Sequence, residues 1–373
     1  MRLLAAVREA GTPSQAQLAA ATGLAAATVS NIVRELCAAG TLETSAAVRG
    51  GRRVRVVSEP ARSGVVAGID VGRGHVRVAV ADLAHRVLAG GRVALPDAHD
   101  VVEGLDAAGT LLTAALTDAG TTRADVRAVG LGLAAPVDGP RGTVGAPGIL
   151  PGWVGVAVPE LAQERLGLPV HVDNDATLGA LAERRWGVLQ GVDQAIYLKL
   201  SDGVGAGLIL DGRLHRGPRG TAGEIGHLVV EDGGAVCRCG NRGCLETLVS
   251  TSTVLRLLEP LLGSPLSIAA VVERAREGHA PSLRVLADTG GRVGAALGGL
   301  CSVLTPTLVA VGGELGQAGD LLLDPMRAGL ARATLPGAVD ATAVVPAALG
   351  DRGPALGAVA LALEHAHAAA PGR

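Results

Sequence analysis

The sequence predicts an α/β protein in which a small helical module precedes a larger, duplicated two-lobe domain. Two patterns lead to this fold class. A glycine-rich strand–turn–strand unit at Asp70–Gly74 is repeated at Asp202–Gly207, and a helical stripe with an arginine-rich hairpin precedes both. The 55 glycines and 19 prolines among 373 residues indicate many tight turns. Because only 1% of the residues are aromatic and phenylalanine is absent, we expect a core of Ala, Val and Leu.

The charge of the chain is unevenly distributed. Its net charge is -2, but residues 1–60 carry seven Arg and four Glu, a balance of +3 that leaves -5 for the remainder. Binding of polyanions through bulk charge is therefore excluded, and any nucleic-acid contact is expected at the N-terminal end. The sequence has no run of 18 apolar residues, and its first residues are typical of an amphipathic helix rather than a signal peptide. We therefore expect a cytoplasmic protein.

Residues 1–60 are predicted to fold as a separate helix-turn-helix module. In the third predicted helix, Val29, Ile32, Val33 and Leu36 recur at helical spacing and form one buried face. Short polar side chains and one guanidinium lie off that face, as in a helix that enters the DNA major groove. These candidate DNA contacts are Thr28, Ser30, Asn31 and Arg34. A helical bundle used for dimerisation is the alternative that this pattern alone leaves open.

An arginine-rich hairpin follows the helices. Residues 41–60 alternate in polarity and turn at Gly50-Gly51, with no acidic residue beside the turn. The arginines around it are Arg49, Arg52 and Arg53. We interpret the hairpin as a wing that contacts phosphates and the minor groove, which favours DNA binding over the dimerisation bundle.

Three of the five cysteines lie close to one histidine in the sequence. Three thiolates and one imidazole make a complete tetrahedral set for a structural Zn²⁺. The candidate ligands are His227, Cys237, Cys239 and Cys244. Gly240 and Gly243 allow the chain to turn tightly around an ion. The alternatives are a disulfide, which the odd cysteine count does not favour, and unrelated thiols.

A buried strand that runs into a helix carries three polar side chains at its carboxyl end, Asp173, Asn174 and Asp175. Folds of the α/β class place their ligands at such strand ends. The alternative is that Asp173 or Asp175 caps the helix that starts at Ala176; because capping is compatible with ligand binding, we expect both.

The segment Gly220–Glu246, which holds the four candidate metal ligands and is called the metal segment below, also carries a resemblance to a known family. G-E-I-G-H followed by C-x-C-G-x-x-G-C-L-E resembles the signature of the ROK family, which holds bacterial sugar kinases and sugar-responsive transcriptional repressors. The resemblance implies an actin-like two-lobe fold with a sugar in the cleft, behind a winged helix-turn-helix. The expected domains are 1–60 for the winged helix, 65–177 plus 350–370 for the first lobe, and 178–349 for the second lobe with the zinc site.

The resemblance also implies roles within the cleft. The residues it places on the sugar are Asn174, Asp175, Glu224, His227 and Glu246. His227 would offer one ring nitrogen to zinc and the other to the sugar. In the kinases of the family, the residue at Asp175 is the base that accepts the proton of the sugar hydroxyl. Gly148 stands where the family's sugar loop has Asn, so that contact lacks its residue.

Two hypotheses follow, a sugar-responsive DNA-binding repressor and an ATP-dependent hexose kinase. Gly74 replaces the Thr of the kinase pattern D-x-G-x-T, and Ser201-Asp202-Gly203 stands where kinases have Gly-Thr-Gly. The altered phosphate loops comprise Asp70, Gly72, Gly74, Asp202, Gly203 and Gly205. We therefore predict a repressor whose kinase activity, despite Asp175, is absent or vestigial. Its expected partners are a pseudo-palindromic DNA operator, a neutral hexose or related sugar, and further copies of the chain in a dimer or tetramer.

Overall fold

The structure is a computed structural model, in which the chain folds into two compact units. One unit comprises Met1–Val65 with Ala81–Leu88, and the other comprises Val66–Val80 with Ala89–Arg373. The structure describes residues 2–10, 12–39, 41–49, 52–58, 64–97, 99–138, 142–145, 148–335 and 342–368.

The first unit begins with three helices. These are α1 (Arg2–Ala10), α2 (Gln15–Thr22) and α3 (Ala26–Ala38). Ser14 caps α2 with a capping box, because its hydroxyl accepts from the Gln17 amide at 3.3 Å while its own amide donates to the Gln17 side chain at 2.9 Å. α2 ends at Gly23 in the left-handed conformation, as its sequence predicts. At the N-cap of α3, Ala25 supplies no side-chain hydrogen bond.

The three helices enclose a small apolar core. Its buried members are Leu3, Val7, Leu18, Val29, Val33, Leu42 and Val57. Of the predicted buried face of α3, Val29 and Val33 are buried, while Ile32 and Leu36 are partly buried against the same core. Within the described residues, no single helix is long and apolar enough to cross a membrane. α2 and α3 together reach that length and hydropathy but are bent by 114° at their junction.

An antiparallel hairpin of β1 (Glu43–Arg49) and β2 (Arg52–Ser58) completes the module, with Arg49 opposite Arg52. The predicted turn residues Gly50 and Gly51 lie outside the described residues, and so do the side chains of Arg49, Arg52 and Arg53.

Two five-stranded sheets with the same strand order form the framework of the larger domain. The first has the order β5-β4-β3-β6-β9, and the second has the order β12-β11-β10-β13-β14. If strands are counted by their occurrence within each sheet, both orders read 3-2-1-4-5. The duplication predicted from the two glycine-rich hairpins is therefore confirmed.

The strands of the first sheet are β3 (Val65–Val71), β4 (His75–Asp82), β5 (Val87–Ala94), β6 (Val126–Leu133) and β9 (Val170–Asn174). Those of the second are β10 (Ala195–Leu200), β11 (Val204–Leu210), β12 (Arg213–His215), β13 (Leu308–Gly312) and β14 (Ala343–Pro346), and a separate pair joins β7 (Val137–Asp138) to β8 (Thr143–Val144).

Helices cover both sheets. They are α4 (Val101–Asp118), α5 (Val158–Leu166), α6 (Asp175–Trp186), α7 (Glu246–Val249), α8 (Thr251–Leu262), α9 (Ile268–Arg276), α10 (Ala280–Leu304), α11 (Asp320–Ala333) and α12 (Gly353–Ala368). The closing helix α12 packs on β6 and on α6. Because α6 contacts β11 of the second sheet as well, it connects the two halves, and the lobe limits drawn from the sequence remain a prediction.

Candidate sugar and metal site

The predicted metal ligands converge in the segment that precedes α7. The ligand atoms of His227, Cys237, Cys239 and Cys244 all lie within 4.8 Å of one another. The Cys239 and Cys244 sulfurs are 3.7 Å apart, which matches the separation of about 3.8 Å that a tetrahedral ion with ~2.3 Å bonds to sulfur imposes. Gly240 and Gly243 have φ angles of 97° and 64°, so the tight turns predicted at these glycines are present. The donor set and spacing therefore fit a bound metal.

The two ring nitrogens of His227 face different groups. Nδ1 lies 3.6 Å from the Cys237 sulfur, and Nε2 lies 3.8 Å from a carboxylate oxygen of Glu224. Burial and the neighbouring Cys239 and Cys237 thiols raise the pKa of the Cys244 thiol to about 12. A bound cation would offset this, because metal ligation requires thiolates.

Two carboxylates lie beside the metal cluster. Glu246, the first residue of α7, is 5% exposed, and one of its oxygens accepts from the Val204 amide at 3.0 Å. Burial, reinforced by the charges of Asp175 and Glu246, raises the pKa of Glu224 to about 7.

The polar residues at the end of β9 have separate partners. Asn174 caps α6, since its side-chain oxygen accepts from the Ala176 and Thr177 amides at 2.9 and 3.1 Å. The capping role expected for Asp173 or Asp175 is therefore wrong: Asp173 instead pairs with Arg216 at 2.8 Å. The Asn174 side-chain nitrogen donates to the Ala135 carbonyl at 3.1 Å, so one amide hydrogen remains for a ligand.

Asp175 is held by a buried ion pair. The Lys199 ammonium lies 2.5 Å from its carboxylate, and the two side chains are 12% and 6% exposed. Burial would lower the pKa of Lys199, but the carboxylates of Asp175 and Asp70 outweigh it and raise that pKa above its ordinary value. Burial raises the pKa of Asp175, and Lys199 opposes that effect.

A chain of ion pairs joins the two glycine-rich hairpins to the metal segment. Arg73 of the first hairpin contacts Asp202 of the second at 2.6 Å. Arg238, which stands between two of the cysteines, contacts the same Asp202 oxygen at 3.2 Å and Glu246 at 3.2 Å. One of the predicted sugar carboxylates is therefore paired with an arginine of the metal segment.

Two neighbouring cavities open between the two sheets. All five residues predicted to contact the sugar line the smaller one, of about 40 Å³. The larger cavity, of about 530 Å³, is lined by Asp70, Gly72, Gly74, Asp202 and Gly203 of the altered phosphate loops. Gly205, predicted with them, lines the smaller cavity instead.

The loop that precedes α5 approaches the metal segment closely. A Cβ atom on Gly148 would lie 1.6 Å from the Arg238 carbonyl oxygen. Farther along this loop, the buried Trp153 indole donates to His99 Nδ1 at 3.4 Å, and His99 Nε2 contacts the Gly72 carbonyl at 3.0 Å. His99 Nδ1 also lies 3.3 Å from the Asp100 carbonyl oxygen, so this buried histidine connects the loop to Gly72 and to the start of α4.

The predicted DNA contacts lie on the free face of α3. Thr28, Ser30, Asn31 and Arg34 are all exposed, and the Arg34 guanidinium donates to the Asn31 side-chain oxygen at 2.9 Å. These four side chains are therefore available to a ligand of the first unit.

Sequence reasoning missed three cations of the cleft. They are Lys199, Arg216 and Arg238, which pair with Asp175, Asp173 and Glu246. Their partners lie 24, 43 and 8 residues away in the chain, so no local pattern links them. One signal was available, because Lys199 is the only lysine among the 33 basic residues.

Comparison with known sequence families identifies the family of the larger domain. The ROK family profile matches residues 66–365. The chain belongs to the ROK family. A profile of the MarR family matches residues 1–53, the segment that holds α1–α3 and most of the wing. The predicted winged helix in front of a ROK domain is therefore confirmed.

Relatives of this ROK protein include regulators and kinases. The xylose repressor of Caldicellulosiruptor bescii is 27% identical over 330 residues, which cover 84% of this chain and 82% of that protein. A ROK family glucokinase from Streptomyces griseus, solved with glucose and AMPPNP, is 32% identical with a TM-score of 0.73 over 81% of this chain and 100% of its own. A ROK family transcriptional regulator described as a homolog of the E. coli MLC protein covers 98% of this chain and 97% of its own with a TM-score of 0.76. Its identity is 23%, so it shows the fold alone.

Proposed function

We propose that this ROK protein is a sugar-responsive transcriptional regulator that acts as a DNA-binding repressor of carbohydrate-metabolism genes in the cytoplasm. The observation that carries the proposal is the MarR-type module, whose α3 presents exposed polar side chains in front of a ROK domain. A kinase has no need of such a module. The similarity to a xylose repressor over 84% of this chain supports the same proposal.

The effector is a neutral hexose or a related sugar bound in the smaller cavity. Asn174, Asp175, Glu224, His227 and Glu246 offer carboxylates, an amide and an imidazole to vicinal hydroxyls. A buried site built for hydroxyls strongly rejects analogues that lack them. Glu246→Ala removes an acceptor worth ~1.5–3 kcal/mol, so calorimetry should show sugar affinity lowered about 10- to 100-fold. Undiminished affinity would remove Glu246 from the site.

A structural Zn²⁺ is the metal that the Cys₃His donor set favours. It would be held by His227, Cys237, Cys239 and Cys244, and such a closed set leaves no position for a catalytic water. Its contribution would be folding energy for the segment that carries Glu224 and Arg238.

The DNA target is a pseudo-palindromic operator bound by a dimer or a dimer of dimers. A single winged module offers few base contacts, and two-fold symmetry doubles them over two half-sites. Sugar binding alters DNA affinity only if the sugar binds unequally to the two states of the protein.

The test is binding of the purified protein to its own upstream DNA, measured by fluorescence anisotropy with and without D-xylose, D-glucose and other hexoses. We expect specific binding that at least one sugar shifts and that Asn31→Ala weakens. Arg213→Ala, on exposed β12 of the ROK domain, is the matched surface control. Failure to distinguish upstream from random DNA would reject the repressor proposal.

A sugar kinase is the second candidate, and the 530 Å³ cavity beside the sugar-side cavity favours it. Three observations argue against it. Asp202 is paired with Arg73 and Arg238, and Asp175 is already paired with Lys199. The threonine hydroxyls of the two kinase loop patterns are absent. Phosphoryl transfer depends on positioning and on stabilising phosphate charge, which these loops do not provide. A coupled assay with ATP and magnesium should detect no turnover. Turnover that Asp175→Asn abolishes would establish the kinase instead.

A further inference from the structure

The only lysine of the chain lies in the cleft. Of 33 basic residues, 32 are arginine and one is Lys199. Its side chain is 12% exposed, and its ammonium lies 2.5 Å from the Asp175 carboxylate. An ammonium is a compact point charge, whereas a guanidinium is a broad planar fork. A chain that uses arginine at every other basic position therefore places a compact cation at this one.

The strands around Lys199 leave room for a single charged group. Lys199 of β10 is paired with Gly205 of β11 and with Gly312 of β13. Neither neighbour has a side chain, although paired residues of adjacent strands project on the same face of a sheet. A Cβ on Gly205 would lie 3.2 Å from the Ala176 side chain of α6, next to Asp175. Because Gly205 and Gly312 have no side chains, the lysine side chain has space to reach the Asp175 carboxylate.

Two buried carboxylates depend on this ammonium. Asp70 is 2% exposed and Asp175 is 4% exposed. Among the described residues, one Asp70 oxygen has no hydrogen-bond partner, and the other lies 3.3 Å from His75 Nε2. Burial acts against the Asp70 anion, and His75, followed by Lys199 and Arg77, holds the pKa of Asp70 below its ordinary value. Without the ammonium, the buried Asp175 carboxylate would have to take up a proton or another cation, and Asp70 would rely on His75 and Arg77.

We propose that Lys199 is a built-in counter-ion that takes the position of a divalent cation between Asp70 and Asp175. It is thus a specificity-determining residue of the cleft, because it holds Asp175 as a fixed acceptor and excludes metal ions. Sugar recognition therefore needs neither magnesium nor a magnesium–nucleotide complex. This inference rests on the proposed sugar site only for that last consequence.

The test uses Mn²⁺ alone, followed by electron paramagnetic resonance on full-length, zinc-loaded protein without sugar. We expect wild type to show no saturable Mn²⁺ site and Lys199→Met to gain about one per chain, since paired carboxylates suit a hard divalent cation. Lys199→Met combined with Asp175→Asn should lose that site again, which separates it from surface binding. Lys199→Gln serves as a second variant if Lys199→Met does not fold.

A Mn²⁺ site in wild type that disappears in Asp175→Asn, but remains in the control variant Arg73→Ala, would overturn the proposal. So would the absence of any gain in folded Lys199→Met and Lys199→Gln. Because no sugar or DNA is present, the Mn²⁺ result is independent of whether the regulator function holds. Calorimetry of D-xylose and D-glucose with wild type, in magnesium-free and magnesium-containing buffer, then tests the last consequence. Any affinity found should agree within about twofold, and a tenfold gain with magnesium would contradict the counter-ion role.

Discussion

Single residues of the cleft determine how closely its segments approach one another, and Gly148 is the clearest case. A Cβ atom there would overlap the Arg238 carbonyl, whereas one on Gly145 would meet no described atom within 4 Å. The two glycines lie in the same loop region, so they form a matched pair.

We expect Gly148→Ala to destabilise the protein by ~1–3 kcal/mol, because overpacking forces the backbone apart, and Gly145→Ala to change stability by less than ~0.5 kcal/mol. Urea unfolding of both variants measures the difference. Equal midpoints would mean that the metal segment moves away from Gly148 at no cost.

At this scale the sequence predicted which residue types meet but not how they pair. His227, the three cysteines and the acids of the cleft converge as expected, since metal and sugar chemistry restrict the residue types. The helix cap was assigned to an aspartate, although Asn174 holds it. The choice depends on where each side chain points at the end of β9, and Asp173 and Asp175 are drawn away by Arg216 and Lys199. Lys199 lies on β10 of the second sheet and Arg216 directly follows β12, and no local pattern reveals these pairings.

Among the elements, the metal segment would gain the most from a bound ion. Apart from a 3₁₀ turn at Ile225–His227 and isolated bridges, it has no regular secondary structure before α7, and it carries Glu224 and Arg238 into the cleft.

Cys239→Ser should therefore lose the metal and lower the unfolding midpoint, because the ion supplies folding energy to this segment. Cys37→Ser, outside the cluster, should retain about one metal per chain. Elemental analysis together with thermal unfolding checks both. Wild-type protein that contains no zinc in proportion to chain would refute the assignment.

A stacked histidine pair joins β9 to α12. The rings of His171 and His365 lie 3.5 Å apart with an interplanar angle of 7°. Burial, followed by the charge of His365, lowers the pKa of His171 from its ordinary value of 6.5. The unfolded chain therefore binds more protons than the folded chain below about pH 6.5, so stability falls as the pH decreases through that range.

We expect urea midpoints to decrease between pH 7.5 and 5.5, and His365→Gln to reduce this decrease because it removes the second charge. Identical pH profiles for wild type and His365→Gln would show that the stacked pair does not cause it.

The order of the elements was more predictable than their contacts. The two glycine-rich hairpins in the sequence predicted two sheets, and both sheets have the same strand order. Backbone periodicity and turn residues are local, which is why they can be read from sequence. The limits of the lobes could not be derived in this way, since α6 contacts elements of both halves.

At the scale of the whole molecule, the proposed regulator separates DNA recognition from sugar recognition along the chain. The net positive charge lies in residues 1–60, and the sugar-side residues all lie between Asn174 and Glu246. Phosphate contacts should therefore come from residues 1–60, with the wing arginines among them.

Arg52→Ala with Arg53→Ala should weaken binding to all DNA similarly and reduce the slope of log affinity against log salt by about 2, since each phosphate contact contributes ~0.9. Arg213→Ala should leave the slope unchanged. A slope that stays the same in the double variant would exclude these arginines from the interface.

The size of the sugar-side cavity has a kinetic consequence. Its volume of about 40 Å³ is small beside the neighbouring cavity of about 530 Å³, with which it shares Ala134, Lys199 and Gly203. If the proposed sugar enters only after the cleft widens, stopped-flow association rates should level off with sugar concentration at the rate of that widening, whereas a linear rise would show entry into the cleft as it stands. Trp153, one of two tryptophans, is buried in the loop that approaches the metal segment and is a natural fluorophore for this measurement. The protein would then respond to a sudden rise in sugar at a speed set by its own opening and not by diffusion.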